Sequence, residues 1–307
     1  MRILITGGAG FIGSNVADGY LAAGHSVAVV DNLSTGRQES VDKRACFFRA
    51  DITDKSLERV FEEFRPEVVS HHAAQMDVRR SMREPSFDAQ VNILGSLNVV
   101  ELSVRHAVRK LIFASSGGAI YGDPEQLPAT ESTPEMPISH YGVTKLAFER
   151  YLYVYQCLYG LRFTVLRYAN VYGPRQNPHG EAGVVAIFIG QMLRKEIPTI
   201  FGDGLKTRDY VFVSDIVRAN MLALEAGDGH VLNVGRGIQV SDYEIFDVIR
   251  RSVGFEKEPQ FAPRRPGEVE HIAIDASRAV KVLGWTPQTE LSDGITHTLQ
   301  YIRSVTS

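Results

Sequence analysis

The fold of this chain is decided by residues 6–13, which read Thr6-Gly7-Gly8-Ala9-Gly10-Phe11-Ile12-Gly13. An apolar segment typical of a buried strand (residues 1–6) precedes them, and an amphipathic helical pattern (11–23) follows. The three glycines suit a tight turn, a close approach of backbone to a pyrophosphate, and close packing of the helix on the strand. The N-terminus of that helix offers free N–H groups and a positive dipole end to phosphates. The stretch therefore predicts a dinucleotide site.

An acidic residue follows at the position that such a site needs. Asp31 ends a second, Val-rich strand pattern (26–31), about twenty residues beyond the glycines. A carboxylate there accepts hydrogen bonds from the adenosine ribose hydroxyls and repels a 2′-phosphate. We therefore expect NAD rather than NADP, although Arg37 lies close enough in sequence to leave NADP open.

Strand and helix patterns alternate through the first half of the chain. Further strands are expected at 45–50, from 68 onwards, at 110–114 and at 161–167, with helices at 56–64, 92–105 and 141–158. Helical crossovers force parallel strands, so the prediction is an α/β fold with a Rossmann-type doubly wound parallel sheet. After about residue 169, Gly and Pro become frequent and the alternation loosens. We expect an NAD-binding Rossmann domain at 1–168 and a smaller α/β substrate-binding lobe at 169–307, with segments able to cross back.

Composition limits the possible partners. The 307 residues carry 33 Lys and Arg against 36 Asp and Glu, a poor balance for nucleic-acid binding. No apolar run reaches the length of a membrane span. The chain has two cysteines, Cys46 and Cys157, which are too few for a disulfide framework. Both lie in apolar runs and are expected to be small core residues. His71 and His72 lack companions at metal-ligand spacing, so we predict packed histidines and no metal. A cytoplasmic enzyme is the expectation.

A candidate catalytic pair stands at Tyr141 and Lys145. On a helix, side chains four residues apart share one face. The ammonium, with the positive charge of an oxidised nicotinamide, is expected to lower the pKa of the phenol. Tyr141 could then act as a general base on a sugar or alcohol hydroxyl. Taken alone, this spacing is weak and often arises by chance.

The chain resembles the extended short-chain dehydrogenase/reductases over essentially its whole length. The matching motifs are the glycine stretch, Asp51-Ile52, His72-Ala73-Ala74, Asn92, Ser115-Ser116, Tyr121-Gly122, Tyr141 with Lys145, and residues 167–174, 208–211 and 265–268. Within that family it is most similar to the UDP-glucose 4-epimerases of the shorter bacterial and archaeal type. His179 lies in a further matching stretch and is expected to be a loop residue, with substrate contact as the alternative.

The resemblance implies roles for individual residues toward NAD. Asp51 and Ile52 would flank the adenine, and Ala73 would pass close to the phosphates. Lys145 would hold the nicotinamide ribose, and Tyr168 would lie beside the nicotinamide. The full cofactor set is Gly7, Gly10, Phe11, Ile12, Gly13, Asp31, Asn32, Asp51, Ile52, Ala73, Ala74, Asn92, Ser115, Tyr141, Lys145 and Tyr168.

The resemblance also implies a substrate set in the second lobe. Asn170, Arg208 and Arg265 would hold the diphosphate of a UDP-sugar, since Arg forks suit phosphate oxygens. Glu268 would meet the uridine ribose, and Val184 and Val185 would line the uracil pocket. The full substrate set is Ser116, Tyr141, Asn170, Val184, Val185, Phe201, Arg208, Arg265 and Glu268.

The sequence departs from the family at Gly117, where many members carry Ser or Thr four residues before the Tyr of Tyr121-Gly122. Ser116 is the nearest hydroxyl, and we assign it the hydrogen bond to the sugar O4. Related 4,6-dehydratases usually have an Asp-Glu pair here. Gly117-Gly118-Ala119 offers no carboxylate, so elimination of water is not expected.

The reaction that the resemblance implies is epimerisation of UDP-glucose and UDP-galactose at C4. Tyr141 would remove the 4-hydroxyl proton, NAD would accept the C4 hydride, and the 4-keto sugar would turn over and take it back. Alternatives are another UDP-sugar (N-acetylhexosamine, glucuronate or pentose), a net dehydrogenase or decarboxylase, and a non-catalytic NAD-sensing protein. The family commonly forms homodimers through a four-helix bundle, for which residues 92–105 and 141–158 are the candidates.

Overall fold

Short strands make up the sheets of this computed structural model, which describes residues 1–177, 183–265 and 268–306. They are β1 (Arg2–Thr6), β2 (Ser26–Asp31), β3 (Cys46–Arg49), β4 (Val68–His71), β5 (Lys110–Ser116), β6 (Arg162–Tyr168), β7 (Asn170–Tyr172), β8 (Thr199–Phe201), β9 (Thr207–Arg208), β10 (Tyr210–Phe212), β11 (His230–Val234), β12 (Val240–Ser241) and β13 (Gln260–Ala262). His179, Pro266 and Gly267, named in the sequence analysis, lie outside the described residues.

The helices follow the strands in alternation through the first half. They are α1 (Phe11–Ala22), α2 (Leu57–Phe64), α3 (Val78–Arg83), α4 (Pro85–Ala89), α5 (Ser96–Arg105), α6 (Gly117–Ile120), α7 (His140–Tyr159), α8 (Val184–Leu193), α9 (Val213–Ala223), α10 (Asp242–Val253), α11 (Ser277–Leu283) and α12 (Leu291–Thr306). The helix expected at 92–105 begins earlier, in a π-helical turn at Gln90–Gly95. π-Helical turns are rare and occur mostly at functional sites.

The central sheet has seven parallel strands in the order β11-β6-β5-β4-β1-β2-β3. Both faces of the sheet are covered, because its strands carry apolar residues on both sides. In β1, Ile3 and Ile5 are buried on one side and Leu4 on the other. Helices α1 and α9 pack on the first side, and α2, α5 and α7 on the second. The predicted doubly wound sheet is confirmed. Its strand order reverses beside β1, where such folds bind ligands at the carboxyl ends of the strands.

The second lobe has its own apolar core. Helices α8, α10 and α12 pack around residues such as Phe188, Phe246 and Ile295, together with Tyr172 and Phe212. Small two-stranded sheets (β7 with β10, β8 with β13, β9 with β12) surround this core. Strand β11 returns to the central sheet beside β6, so the second half of the chain completes the first. The domain boundary at 168/169 stays a prediction.

Two expectations about cysteine are wrong. Cys46 and Cys157 are both exposed and free, not core residues. Each lies in an apolar run, but an edge strand and a surface helix turn part of such a run toward solvent. Among the described residues, no helix has the length and apolar character that crossing a membrane requires.

Candidate active site

The glycine stretch forms a tight turn between β1 and α1. Gly7 has φ +69°, and a Cβ there would lie 2.6 Å from the backbone nitrogen of Ala73. At Gly13 a Cβ would collide with the carbonyl oxygen of Gly7. Only glycine lets these backbone segments approach so closely. Gly7 thus makes the predicted tight turn, while Gly13 brings α1 close to the turn itself at Gly7 and Gly8, not to the strand.

The N-terminus of α1 is left open to a ligand. Gly10 is its N-cap and provides no side-chain hydrogen bond. The first N–H groups of a helix have no partner within the helix, so those of Phe11, Ile12 and Gly13 are free to meet an anion. This opening fits the pyrophosphate of a dinucleotide.

Asp31 is tied to the same turn. Its carboxylate accepts hydrogen bonds from the backbone N–H of Ala9 (3.0 Å) and of Leu33 (2.8 Å). Asn32 next to it donates to Asp51 (2.7 Å), which joins the ends of β2 and β3. Ile52 is buried beside Gly95. Asp31 thus contacts the glycine turn directly, and Asn32 connects it to Asp51; contact of these residues and of Ile52 with an adenosine stays a prediction.

Two neutral histidines support the end of β4. His71 is hydrogen-bonded to Thr6 (2.6 Å) and Ser96 (2.9 Å), and His72 to Ser70 (2.9 Å). Burial, with the charge of Lys145, lowers the pKa of His72 to about 3 and that of His71 well below its usual range. Both are packed histidines, as predicted. They hold the strand from which Ala73 and Ala74 continue toward the glycine turn.

Tyr141 and Lys145 project from the first turns of α7 and lie beside the end of β5. The Ser116 hydroxyl lies close enough to the Tyr141 phenol to act on its pKa. The Lys145 ammonium donates to the carbonyl of Ala114 (2.9 Å) and lies 5.8 Å from the centre of the Tyr141 ring. The structure therefore brings the three predicted catalytic residues together.

The pKa of Tyr141 differs from the expectation. Burial, assisted by the negative charge of Asp88, raises it to about 12, while the hydrogen bond from Ser116 acts to lower it. Burial also lowers the pKa of Lys145 to about 8. The predicted lowering of the phenol pKa is thus absent from the protein alone, because removal from water outweighs the effect of Ser116.

A buried carboxylate next to this pair was missed. Asp88 is fully buried and accepts hydrogen bonds from Gln75 (2.8 Å), Asn92 (3.1 Å) and Thr144 (2.9 Å). Asn92 also pairs with both backbone groups of Gln75 (2.8 and 2.9 Å). Its amide therefore holds the segment after Ala74 in place, and its direct contact with a cofactor stays a prediction.

A second buried polar cluster engages Ser115. Its hydroxyl donates to Glu149 (2.5 Å), and Glu149 forms an ion pair with Arg167 (2.5 Å); both charged side chains are almost fully buried. The one hydrogen of the Ser115 hydroxyl is therefore bound to Glu149, and a cofactor contact by Ser115 stays a prediction. Tyr168 is similarly committed, because its hydroxyl accepts a hydrogen bond from Asn220 (2.8 Å) and its ring faces that of His72 at 6.5 Å.

Three of the substrate residues predicted for the second lobe lie together in one pocket. Phe201, Arg265 and Glu268 line one small pocket with Lys206, and the Arg265 guanidinium stacks on the Phe201 ring at 3.4 Å. Lys206, which sequence reasoning missed, forms an ion pair with Glu268. Arg208 donates instead to the backbone carbonyls of Thr207 (2.8 Å) and Glu270 (3.3 Å).

The remaining substrate residues lie toward the cleft and the core. A Cβ at Gly118 would lie 3.2 Å from the amide oxygen of Asn170, so Asn170 adjoins the turn after Ser116. Val184 is half-buried, whereas Val185 lies fully within the core of the second lobe. Contact of these residues with a substrate stays a prediction.

Asp209 organises the backbone between the lobes. Its carboxylate accepts from the N–H groups of Arg236 (3.0 Å), Gly237 (2.9 Å) and Ile274 (3.3 Å). Burial raises its pKa to about 6 against these hydrogen bonds. In the sequence motif at 208–211, Asp209 thus has a structural role, and Arg208 beside it is the predicted phosphate ligand.

A model of the NAD dependent epimerase/dehydratase family matches residues 3–235. The chain belongs to this family. The predicted family and the predicted cofactor, NAD, are thereby confirmed at the family level.

Full-length relatives within the epimerase/dehydratase family carry a common description. The chain is 46% identical over 310 residues to a UDP-glucose 4-epimerase of Mycolicibacterium smegmatis, with 99% of both chains covered. It resembles the crystal structure of a Thermotoga maritima UDP-glucose 4-epimerase with UDP-glucose (48% identity, 100% of both chains, TM-score 0.99). It also resembles that of a Thermus thermophilus UDP-glucose 4-epimerase in complex with NAD (46% identity, 99% of both chains, TM-score 0.94).

The departure from this epimerase/dehydratase family at Gly117 has a packing reason. A Cβ there would lie 2.6 Å from the terminal methyl of Ile274, so a larger residue would require the Ile274 side chain to shift. Ser116 meets Tyr141 from the preceding position. That Ser116 takes the role of the hydroxyl usual at 117 stays a prediction.

Proposed function

We propose that the protein is an NAD-dependent epimerase that interconverts UDP-glucose and UDP-galactose at C4. The observation that carries this proposal is the grouping of Ser116, at the end of β5, with Tyr141 and Lys145 on the first turns of α7. The relatives described above support the choice of sugar nucleotide.

The cofactor would lie along the carboxyl ends of β1, β2 and β4. The N-terminus of α1 would bind its pyrophosphate, and Asp31 its adenosine ribose. When bound, NAD⁺ supplies the acceptor that takes the C4 hydride and returns it. Because no net oxidation occurs, the protein has no need to release this cofactor between turnovers.

Proton transfer is the work of Tyr141. Its phenolic oxygen would take the proton of the sugar 4-hydroxyl and give it back after the 4-keto sugar has turned over. The hydrogen bond from Ser116 favours the phenolate, and so does the ammonium of Lys145.

The second lobe would hold the nucleotide part of the substrate. Arg265, stacked on Phe201, and Lys206 lie in one pocket together with carboxylates, one of which, Glu268, pairs with Lys206. The Arg265 guanidinium is the cation that would hold the diphosphate. The 4-keto sugar must rotate in the site, so the nucleotide part of the substrate must stay firmly bound meanwhile.

Elimination of water finds little support at the site. The turn at 117–119 carries no acid, and Asp123 a few residues later accepts backbone hydrogen bonds from Glu270 (2.5 Å) and His271 (3.2 Å). A dehydratase needs a free acid there to expel the hydroxyl. Epimerisation needs none.

We also infer a homodimer and a cytoplasmic location. Helix α7 exposes an apolar stripe of Val143, Tyr151, Val154 and Leu158, with Leu94 nearby on the π-helical turn. Such a patch on two packed helices suits a four-helix interface between copies. Two free, exposed cysteines suit a reducing compartment.

The test is to incubate the purified protein with UDP-galactose, UDP-glucose and a panel of other UDP-sugars and to resolve 4-epimers by NMR. We expect equilibration of UDP-galactose with UDP-glucose and its loss in Tyr141→Phe. Faster turnover of a UDP-N-acetylhexosamine, UDP-glucuronate or a UDP-pentose would overturn the choice of sugar. Steady accumulation of NADH would overturn the reaction type.

A further inference from the structure

Asp88 is a buried charge for which the proposed chemistry gives no reason. The side chain is fully buried where α4 meets α7 and the π-helical turn. The donors that contact its carboxylate among the described residues are two amides (Gln75, Asn92) and one hydroxyl (Thr144), all neutral. A buried carboxylate without a hydrogen-bonded cation is costly, and such groups concentrate at functional sites.

The contacts of Asp88 lead to the catalytic pair. Thr144 lies between Tyr141 and Lys145 on α7, and its hydroxyl reaches both Asp88 (2.9 Å) and the backbone carbonyl of Tyr141 (3.0 Å). On the other side, Gln75 connects Asp88 to the segment that follows Ala74. One carboxylate thus links the cofactor side of the site to the helix that carries the base.

We propose that Asp88 is a positioning residue that holds the Tyr141–Lys145 turn through Thr144 and whose charge sets the pH range over which this pair works. The proposal rests on the proposed function, since it assigns Tyr141 as the base. Opposite charge favours the ammonium of Lys145, and like charge disfavours the phenolate of Tyr141.

The electrostatics of the site agree with this geometry. Burial raises the pKa of Tyr141, and Asp88 adds to that rise; burial lowers the pKa of Lys145, and Asp88 opposes that fall. Other charged or titratable groups lie on the elements packed around it. His71 and His72, at the end of β4, and Glu149 on α7 interact electrostatically with Lys145. Helix α3 packs on α4 and α7 and carries Arg79, Arg80 and Arg83, with Asp77 at its N-cap. Arg80 is paired with Glu84 and Glu149 with Arg167, whereas Asp88 has only neutral hydrogen-bond donors in the described structure.

The variant Asp88→Asn separates charge from shape. It keeps the size of the side chain, and the Thr144 hydroxyl can donate to the Tyr141 carbonyl while accepting from the new amide. Thr144→Val is the matched control, because it removes the hydrogen bond to Asp88 and leaves the charge. Each holoenzyme is compared with its own Tyr141→Phe counterpart, so that near-ultraviolet tyrosinate absorption isolates the titration of Tyr141.

In Asp88→Asn we expect the tyrosinate transition and the acid limb of the epimerisation profile to move together to lower pH, by roughly one unit. Thr144→Val is expected to lower kcat without moving either. Activity of Asp88→Asn that falls equally at every pH, with an unmoved tyrosinate transition, would show a merely structural role and overturn the proposal. If the UDP-sugars are not epimerised, the tyrosinate titration still decides the role of Asp88 separately from the proposed function.

Discussion

The Ser116 side chain, at the end of β5, lies close enough to Tyr141, in the first turn of α7, that its hydroxyl acts to lower the pKa of the phenol. Its neighbour Ser115 points to the other side of the strand and donates to Glu149. Two adjacent serines therefore serve different purposes. One belongs to the site, and the other to the buried polar network behind it.

Replacing Ser116 by Ala is expected to reduce kcat by about 10²-fold, since the phenolate loses a hydrogen bond and the sugar O4 loses its predicted partner. The free energy of unfolding should change little. Steady-state kinetics with UDP-galactose and urea denaturation measure the two quantities.

Ser115→Ala is the matched control. It leaves Glu149 short of one donor in a buried setting, so the expected loss is about 1–3 kcal/mol of stability, with kcat largely retained. The reverse pattern, in which Ser115→Ala abolishes turnover and Ser116→Ala does not, would contradict the assignment of Ser116.

Substitutions at two glycines of the turn should distinguish an effect on folding from an effect on NAD binding. A Cβ at Gly13 meets the backbone of Gly7 and Gly8, so Gly13→Ala is expected to lose about 1–3 kcal/mol of stability and to bind no NAD. At Gly10 the backbone is extended and a Cβ would lie 3.3 Å from the Gly7 oxygen. Gly10→Ala should therefore fold normally but purify with less NAD, because its methyl group enters the space predicted for the pyrophosphate. Nucleotide content after denaturation checks both, and full NAD occupancy of Gly13→Ala would rule out this role for the turn.

Glu149 and Arg167 form an ion pair that water does not reach, with side chains 0% and 1% exposed. Glu149→Gln leaves the guanidinium without its main partner, and we expect a loss of about 3 kcal/mol in the free energy of unfolding. Glu63→Gln is the control, because its pair with Arg59 is exposed on α2 and should contribute nothing measurable. Equal effects of the two substitutions would be inconsistent with the buried network.

The apolar stripe on α7 should hold two copies together. Leu158→Glu places a charge on a side chain that is 67% exposed in the single chain, and we expect a monomer in sedimentation. Val305→Glu, at a 60% exposed position on α12, should leave the oligomeric state unchanged. A wild-type protein that sediments only as a monomer would remove the basis for the dimer.

The sequence predicts the parts of the site that depend on local spacing. The glycine turn, Asp31 and the Tyr141–Lys145 pair each need only their own segment to be recognised, and the structure brings them together as expected. The parallel sheet also follows from the local pattern, because strands that are joined through helices run in the same direction. The residues predicted for the second lobe rest on the family resemblance, because strand and helix patterns do not alternate clearly there.

The parts that depend on long-range contacts were not predictable. Asp88 meets Thr144 across 56 residues of chain, and Glu149 meets Ser115 across 34. No periodicity signals such a pairing. The direction of the Tyr141 pKa shift also depends on burial, which spacing does not reveal, and the exposure of Cys46 and Cys157 depends on which face of an element meets solvent.

The most direct measurement is to follow the label during turnover of UDP-galactose deuterated at C4. If the hydride leaves C4 and returns to the same carbon, the UDP-glucose that forms retains deuterium at C4 in normal water, and Tyr141→Phe forms almost none of it. Loss of the deuterium to solvent during epimerisation, or unimpaired epimerisation by Tyr141→Phe, would contradict a 4-keto route that begins at Tyr141.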